Sequence, residues 1–167
     1  MFTSINDFKE SYKNEVEGTT KIFGVLTDES LAQSVCDGHR TIGRIAWHTV
    51  TTIPEMMSQT GLQFSSVDHK APVPATAEEI ASGYKKVSEE LLKQVTENWN
   101  DDSLQQTDNL YGETWKRGAT LAILIRHEVH HRGQLTILMR QAGLKVPGVY
   151  GPSKDEWEGY GSPPPEI

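Results

Sequence analysis

Apolar residues recur along this chain at steps of three and four, and no stretch sustains the alternation of a half-buried strand. Ile5, Phe8, Tyr12, Val16, Thr19, Phe23 and Leu26 fall on one stripe, which predicts a first helix of about six turns with Thr3 or Ser4 as its cap. The Thr27-Asp28-Glu29-Ser30 cluster ends it. A second helix starts near Thr41 and carries Ile42, Ile45, Ala46, Thr49, Ile53, Met56 and Met57 on its apolar face, with Gly61 as the stop. Pro54 lacks an N–H and crowds the preceding turn, so a kink or an irregular final turn is expected there.

Leu62 to Ala75, with Pro72, Pro74 and two serines, reads as an extended surface crossover. Thr76 then stands three residues before Glu79, the spacing of a capping box, and Ala77, Ile80, Tyr84, Val87, Leu91, Val95 and Trp99 mark a third helix. Asn100 to Gly118 is a polar connection in which Thr107 to Lys116 has the pattern of a small hairpin. The last long helix runs from about Ala119 to Ala142, with Gly143 as its stop, followed by a short helix around Lys154–Trp157 and a proline-rich end. Four amphipathic helices with little strand signal predict an all-α four-helix bundle, one domain over residues 1–167. The long crossover between helices 2 and 3 allows those two to run parallel.

Charge and composition narrow the function classes. A net charge of −7, from 16 basic and 23 acidic residues, argues against a nucleic-acid partner, which needs clustered Lys and Arg. Mean hydropathy is −0.51, and no apolar stretch approaches the ~20 residues of a membrane span, so no membrane partner is expected. The start of the chain lacks the basic and apolar regions of a signal peptide. A single cysteine, Cys36, forms no internal bridge and suits a reducing compartment, so the expected location is cytoplasmic. Six histidines remain to be explained, three of them within five residues.

His127 and His131 lie four apart in Arg126-His-Glu-Val-His-His-Arg-Gly-Gln134, so both rings occupy one helix face. Leu124, His127, His131, Leu135 and Leu138 form the expected inward stripe. Two adjacent buried imidazoles without a metal demand partners for four nitrogens, which favours a metal ion there. His48, bordering the apolar face of the second helix, is the best candidate for a third ligand. Three imidazoles with open positions describe a catalytic type of site, with Zn²⁺ the default and Ni²⁺ or Fe²⁺ acceptable.

His127-Glu-Val-His-His131 also fits His-Glu-x-x-His, the zincin signature in which the glutamate is the general base. The metzincin continuation fails, because Ile137 stands at the third-ligand position, and the preceding chain offers no substrate-binding sheet. Glu156 and Glu158 remain alternative third ligands for a metal-dependent hydrolase or peptidase. Three roles are open to Glu128, the catalytic candidate: a base near the metal, an outer partner of the ligands, or a solvated carboxylate. Arg132 and Gln134 are expected at the bundle end, and His39 and His69 on exposed connections.

At Thr41-Ile-Gly-Arg-Ile-Ala-Trp-His48 and His127-Glu-Val-His-His-Arg-Gly-Gln134 the sequence resembles the DinB-like family of damage-inducible proteins. Leu135 to Gly143 and Pro147-Gly-Val-Tyr-Gly-Pro152 extend the likeness over nearly the whole chain. The resemblance implies a four-helix bundle whose metal is held by His48, His127 and His131. It further implies transfer of a small-molecule thiol to an electrophile, often a toxin or antibiotic. His130 then belongs to the surroundings of the site or to the surface. A homodimer is the implied assembly, with Trp115, Trp157 and Tyr160 as contact candidates. A stress-induced metal-binding dimer without turnover is the alternative of a different kind.

Overall fold

A computed structural model describes residues 1–166, apart from the side chain of Glu158. Helix α1 spans Ile5–Phe23, α2 Ile42–Ser58, α3 Ala77–Asn98 and α4 Arg117–Gln141. Short 3₁₀ turns cover Glu29–Ala32, Asp102–Gln105 and Lys154–Tyr160. Strands β1 (Thr107–Leu110) and β2 (Glu113–Lys116) form the expected antiparallel hairpin, in which Thr107 faces Lys116. Among the described residues this two-stranded sheet is the only one, so the all-α bundle is the architecture. No helix among them is long and apolar enough to cross a membrane.

Local chemistry sets the helix ends. Ser4 Oγ accepts from Asp7 N, and Thr41 Oγ1 accepts from Arg44 N. Thr76 and Glu79 complete a reciprocal capping box, as their spacing predicts. Helix α1 stops at Phe23, three residues short of Leu26, because Gly24 is a poor helix former and the chain tightens there into i→i+3 bonds. Leu26 still reaches the core from outside the helix. Helix α2 remains α-helical through the buried Pro54 as far as Ser58.

Contacts between helices give the topology. Phe2 N donates to Gly118 O, and Arg132 meets Glu15, so α1 and α4 run parallel. Ile5 N binds the Asp101 carboxylate beyond α3, while Phe23 packs on Tyr84, so α1 and α3 are antiparallel. The crossover leaves α2, bonds to Gln94 and Glu90 near the end of α3, and returns to Trp47, whose Nε1 donates to Ala71 O at 3.0 Å. Trp47 lies against Gly83 early in α3, so α2 and α3 are parallel, as the crossover length allows. A methyl group on Gly83 would sit 2.8 Å from the Trp47 ring, which explains a glycine inside a helix. His48 faces α4 at His127 and His131, and Glu55, further along α2, binds Tyr111 just before α4. That makes α2 and α4 antiparallel.

The core joins Phe8, Tyr12, Ile22, Ile53, Met57, Ile80, Leu91 and Leu135 from all four helices. Helix α4 departs from simple amphipathicity. Its inward stripe passes from Leu121 and Leu124 through Glu128, His131 and Arg132 to Leu135 and Leu138, all buried. A carboxyl group, an imidazole and a guanidinium therefore stand where apolar residues would otherwise fill the bundle, and each needs a partner there.

Candidate metal centre

Helices α2 and α4 bring His48, His127 and His131 together, with one ring nitrogen of each within 4.8 Å of the others. Ring centroids are separated by 4.4 Å for His127–His131, 4.7 Å for His48–His131 and 5.1 Å for His48–His127. His131 is buried, and the other two are half-buried.

Hydrogen bonds on the far side of the His131 and His48 rings decide which nitrogen of each faces the cluster. Nδ1 of His131 donates to Gln134 Oε1 at 2.7 Å, which leaves a lone pair on Nε2. Gln134 Nε2 in turn donates to His130 Nε2 at 3.1 Å. On α2, Thr52 Oγ1 donates to His48 O at 2.8 Å and is left free to accept from His48 Nδ1 at 3.4 Å. Nε2 of His127 and Nε2 of His131 lie 3.1 Å apart, so His127 donates to His131 through a proton that a metal ion would displace. Two nitrogens on a tetrahedral zinc ion at ~2.0–2.1 Å stand about 3.4 Å apart. The ligand type, spacing and outer hydrogen bonds therefore fit a divalent metal.

Electrostatics agree with neutral ligands. Burial, then the neighbouring His131 and His127, and then Arg40 and Arg44, lower His48 to about 4. Burial, followed by His131, His130 and Arg40, lowers His127 to about 4 as well. His131 is also lowered by burial, against an upward pull from the Gln134 bond. All three rings are thus uncharged at neutral pH, each with one nitrogen able to offer a lone pair, the form a metal requires.

Glu128 is not a solvated carboxylate: it is 2% exposed. Its Oε1 accepts from Thr19 Oγ1 on α1 at 2.6 Å and from Tyr84 Oη on α3 at 2.5 Å. Oε2 is buried with no hydrogen-bond partner, and burial raises the carboxyl above the ordinary glutamate range. Arg132, expected at the bundle end, is buried and bonds the Glu15 carboxylate at 2.6 Å, Glu15 O and Thr19 Oγ1 at 3.1 Å, and Tyr150 Oη. Glu15 is the residue that periodicity passed over. The signal available was that Leu124, Glu128 and Arg132 repeat every four residues and share one face.

The remaining aromatic, thiol and imidazole side chains lie outside the three-histidine cluster. Trp47, Tyr12 and Tyr84 are core residues, and Cys36, His39 and His69 are exposed. Glu156 caps the C-terminal segment by accepting from Gly148 N and Ser153 N, and Glu158 lies outside the described side chains. Beside the cluster a cavity of about 540 Å³ opens to solvent, walled by Val35, Ile45, Ile137 and Leu138 with His39, Arg40, His131 and Gln134.

The model of the DinB family matches residues 1–166. An uncharacterized protein, YrdA, of Bacillus subtilis strain 168 is 42% identical over 167 residues, covering 100% of both chains. The crystal structure of a DinB-like protein from Bacillus cereus ATCC 10987 is similar at a TM-score of 0.86 and 46% identity, covering 90% of this chain and 100% of that one. A second DinB-like structure, YjoA of Bacillus subtilis, has a TM-score of 0.60 at 16% identity, covering 86% and 96% of the two chains, and shares the fold alone.

Proposed function

Since this chain belongs to the DinB family, we propose that His48, His127 and His131 hold one divalent metal ion through Nε2 and that the protein transfers a small-molecule thiol to an electrophile. The observation that carries the reading is the convergence of three neutral imidazoles, two of them held by outer hydrogen bonds and one, His131, lining a cavity. Zn²⁺ is the first choice, and Ni²⁺ or Fe²⁺ suits the same donors. Three protein ligands leave coordination positions open. A bound metal lowers the pKa of a coordinated thiol and so supplies a thiolate at neutral pH.

The chain's own residues do the rest. Gln134 and Thr52 orient the imidazoles, and Ile45 and Leu138 give the reacting groups an apolar wall. In the overall reaction with a haloarene, the thiol loses its proton to solvent and its sulfur forms a bond to the ring carbon. The carbon–halogen bond breaks, and halide leaves with the electron pair. In this reading Glu128 is a core group tying α4 to α1 and α3, and the protein works as a homodimer.

A panel of small thiols with 1-chloro-2,4-dinitrobenzene tests the activity. Thiol-dependent product from metal-loaded wild type, lost in His48→Ala, is the expected result. Product formation independent of thiol moves the reading to a hydrolase. No turnover with any thiol, with the metal still bound, leaves a metal-binding protein without catalysis.

A further inference from the structure

The cavity beside the histidines combines two features that the metal alone does not explain. Its wall is apolar: Ile45 and Leu138 are buried at its base, while Val35 and Ile137 stand at its mouth 58% and 57% exposed. Large apolar side chains left open around one concavity mark a surface kept for a ligand. At about 540 Å³ the space suits a small molecule.

The second feature is Arg40. It sits on the loop between the first 3₁₀ turn and α2, whose ends are pinned by Ile42 N donating to Gln33 O at 2.8 Å and by a bridge between Ser34 and Thr41. Arg40 lines the cavity, makes no ion pair among the described residues, and is accompanied by no carboxylate in the lining. In a chain of net charge −7, an uncompensated guanidinium at an apolar cavity is a local reversal of sign. Its charge acts on all three imidazoles, so it is near the cluster as well as the mouth. A divalent ion on three neutral ligands adds positive charge that no lining carboxylate balances.

We propose that this cavity binds a small organic anion whose acidic group pairs with Arg40 while its apolar body lies on Val35, Ile45, Ile137 and Leu138, with its far end at His131. The proposal deepens the metal reading by naming the class of its substrate. It rests on that reading only for what occupies the His131 end.

Two probes of matched shape separate charge from apolar contact: 4-phenylbutyrate and 4-phenylbutan-1-ol, titrated by NMR into the full chain, metal-free and zinc-loaded. Metal-free wild type is expected to prefer the acid by about tenfold, the value of one charge-assisted pairing. Arg40→Gln, an exposed substitution checked by its unfolding temperature, is expected to bring the two probes within about twofold of each other. Ile137→Ser is expected to weaken both probes. Equal binding of acid and alcohol by wild type, an acid preference that survives Arg40→Gln, or no binding of either probe would overturn the proposal. The metal-free arm keeps the two readings apart. Failure there leaves metal binding standing, and a failed zinc titration leaves the Arg40 preference intact.

Discussion

Nδ1 of His131 donates to Gln134 Oε1 at 2.7 Å, and this bond fixes which nitrogen of His131 faces His48 and His127. The Gln134 amide is anchored in its turn by His130, four residues before it on the same helix.

Gln134→Leu removes the acceptor and lets His131 protonate Nε2. Zinc affinity is expected to fall about 10–100-fold, as for other outer partners of a metal-bound histidine. Stability of the metal-free chain is expected to move by no more than about 0.5 kcal/mol, because Gln134 is exposed. Isothermal titration and urea unfolding read the two effects. Unchanged affinity would mean the ring orientation is set by packing alone.

Arg132 tests the buried polar layer on the other side of α4. One guanidinium nitrogen serves Glu15 O and Thr19, and another serves the Glu15 carboxylate and Tyr150. A lysine cannot reach these directions at once. Arg132→Lys is expected to destabilise the chain, and Arg132→Met by about 3–5 kcal/mol, since it leaves the Glu15 carboxylate buried without its cation and with only Tyr150 as a donor. A loss below about 1 kcal/mol in urea unfolding of Arg132→Met would contradict the pairing's structural role.

The pH dependence of stability contains two opposed contributions. His48 and His127 are lowered to about 4 from 6.5, so over that range the unfolded chain binds protons that the folded chain refuses. Stability of the metal-free protein therefore falls as pH drops through that range. Glu128 acts in the other direction. Burial raises its carboxyl, so the folded chain keeps a proton the unfolded chain has lost, and stability falls as pH rises above the ordinary glutamate range. Glu128→Gln removes this contribution and is expected to steepen the rise of stability between about pH 4 and 6.5. An unchanged slope in urea unfolding would show that Glu128 does not hold its proton.

The bundle was legible because its cues are local: stripes at helical spacing, Thr76 with Glu79, and the Thr107–Lys116 hairpin. The histidine cluster was legible for a related reason, since two of its members share one helix face and the third borders an apolar stripe. The partners of Glu128 and Arg132 were not. Apart from Tyr150, they come from Thr19 and Glu15 on α1 and Tyr84 on α3, more than 40 residues away in sequence. Local periodicity marks such a polar residue as inward-facing and says nothing of what meets it. Arg40 was missed for another reason. It lies on a loop whose closure by Gln33 and Ile42 places it at the cavity.

The central claim, one metal ion shared by α2 and α4, is tested most directly by zinc titration into metal-free wild type and His48→Ala. The account predicts one ion per chain in wild type, and in the variant a loss of affinity beyond the about 10–100-fold of an outer partner. His48→Ala binding zinc with wild-type stoichiometry and affinity would contradict it.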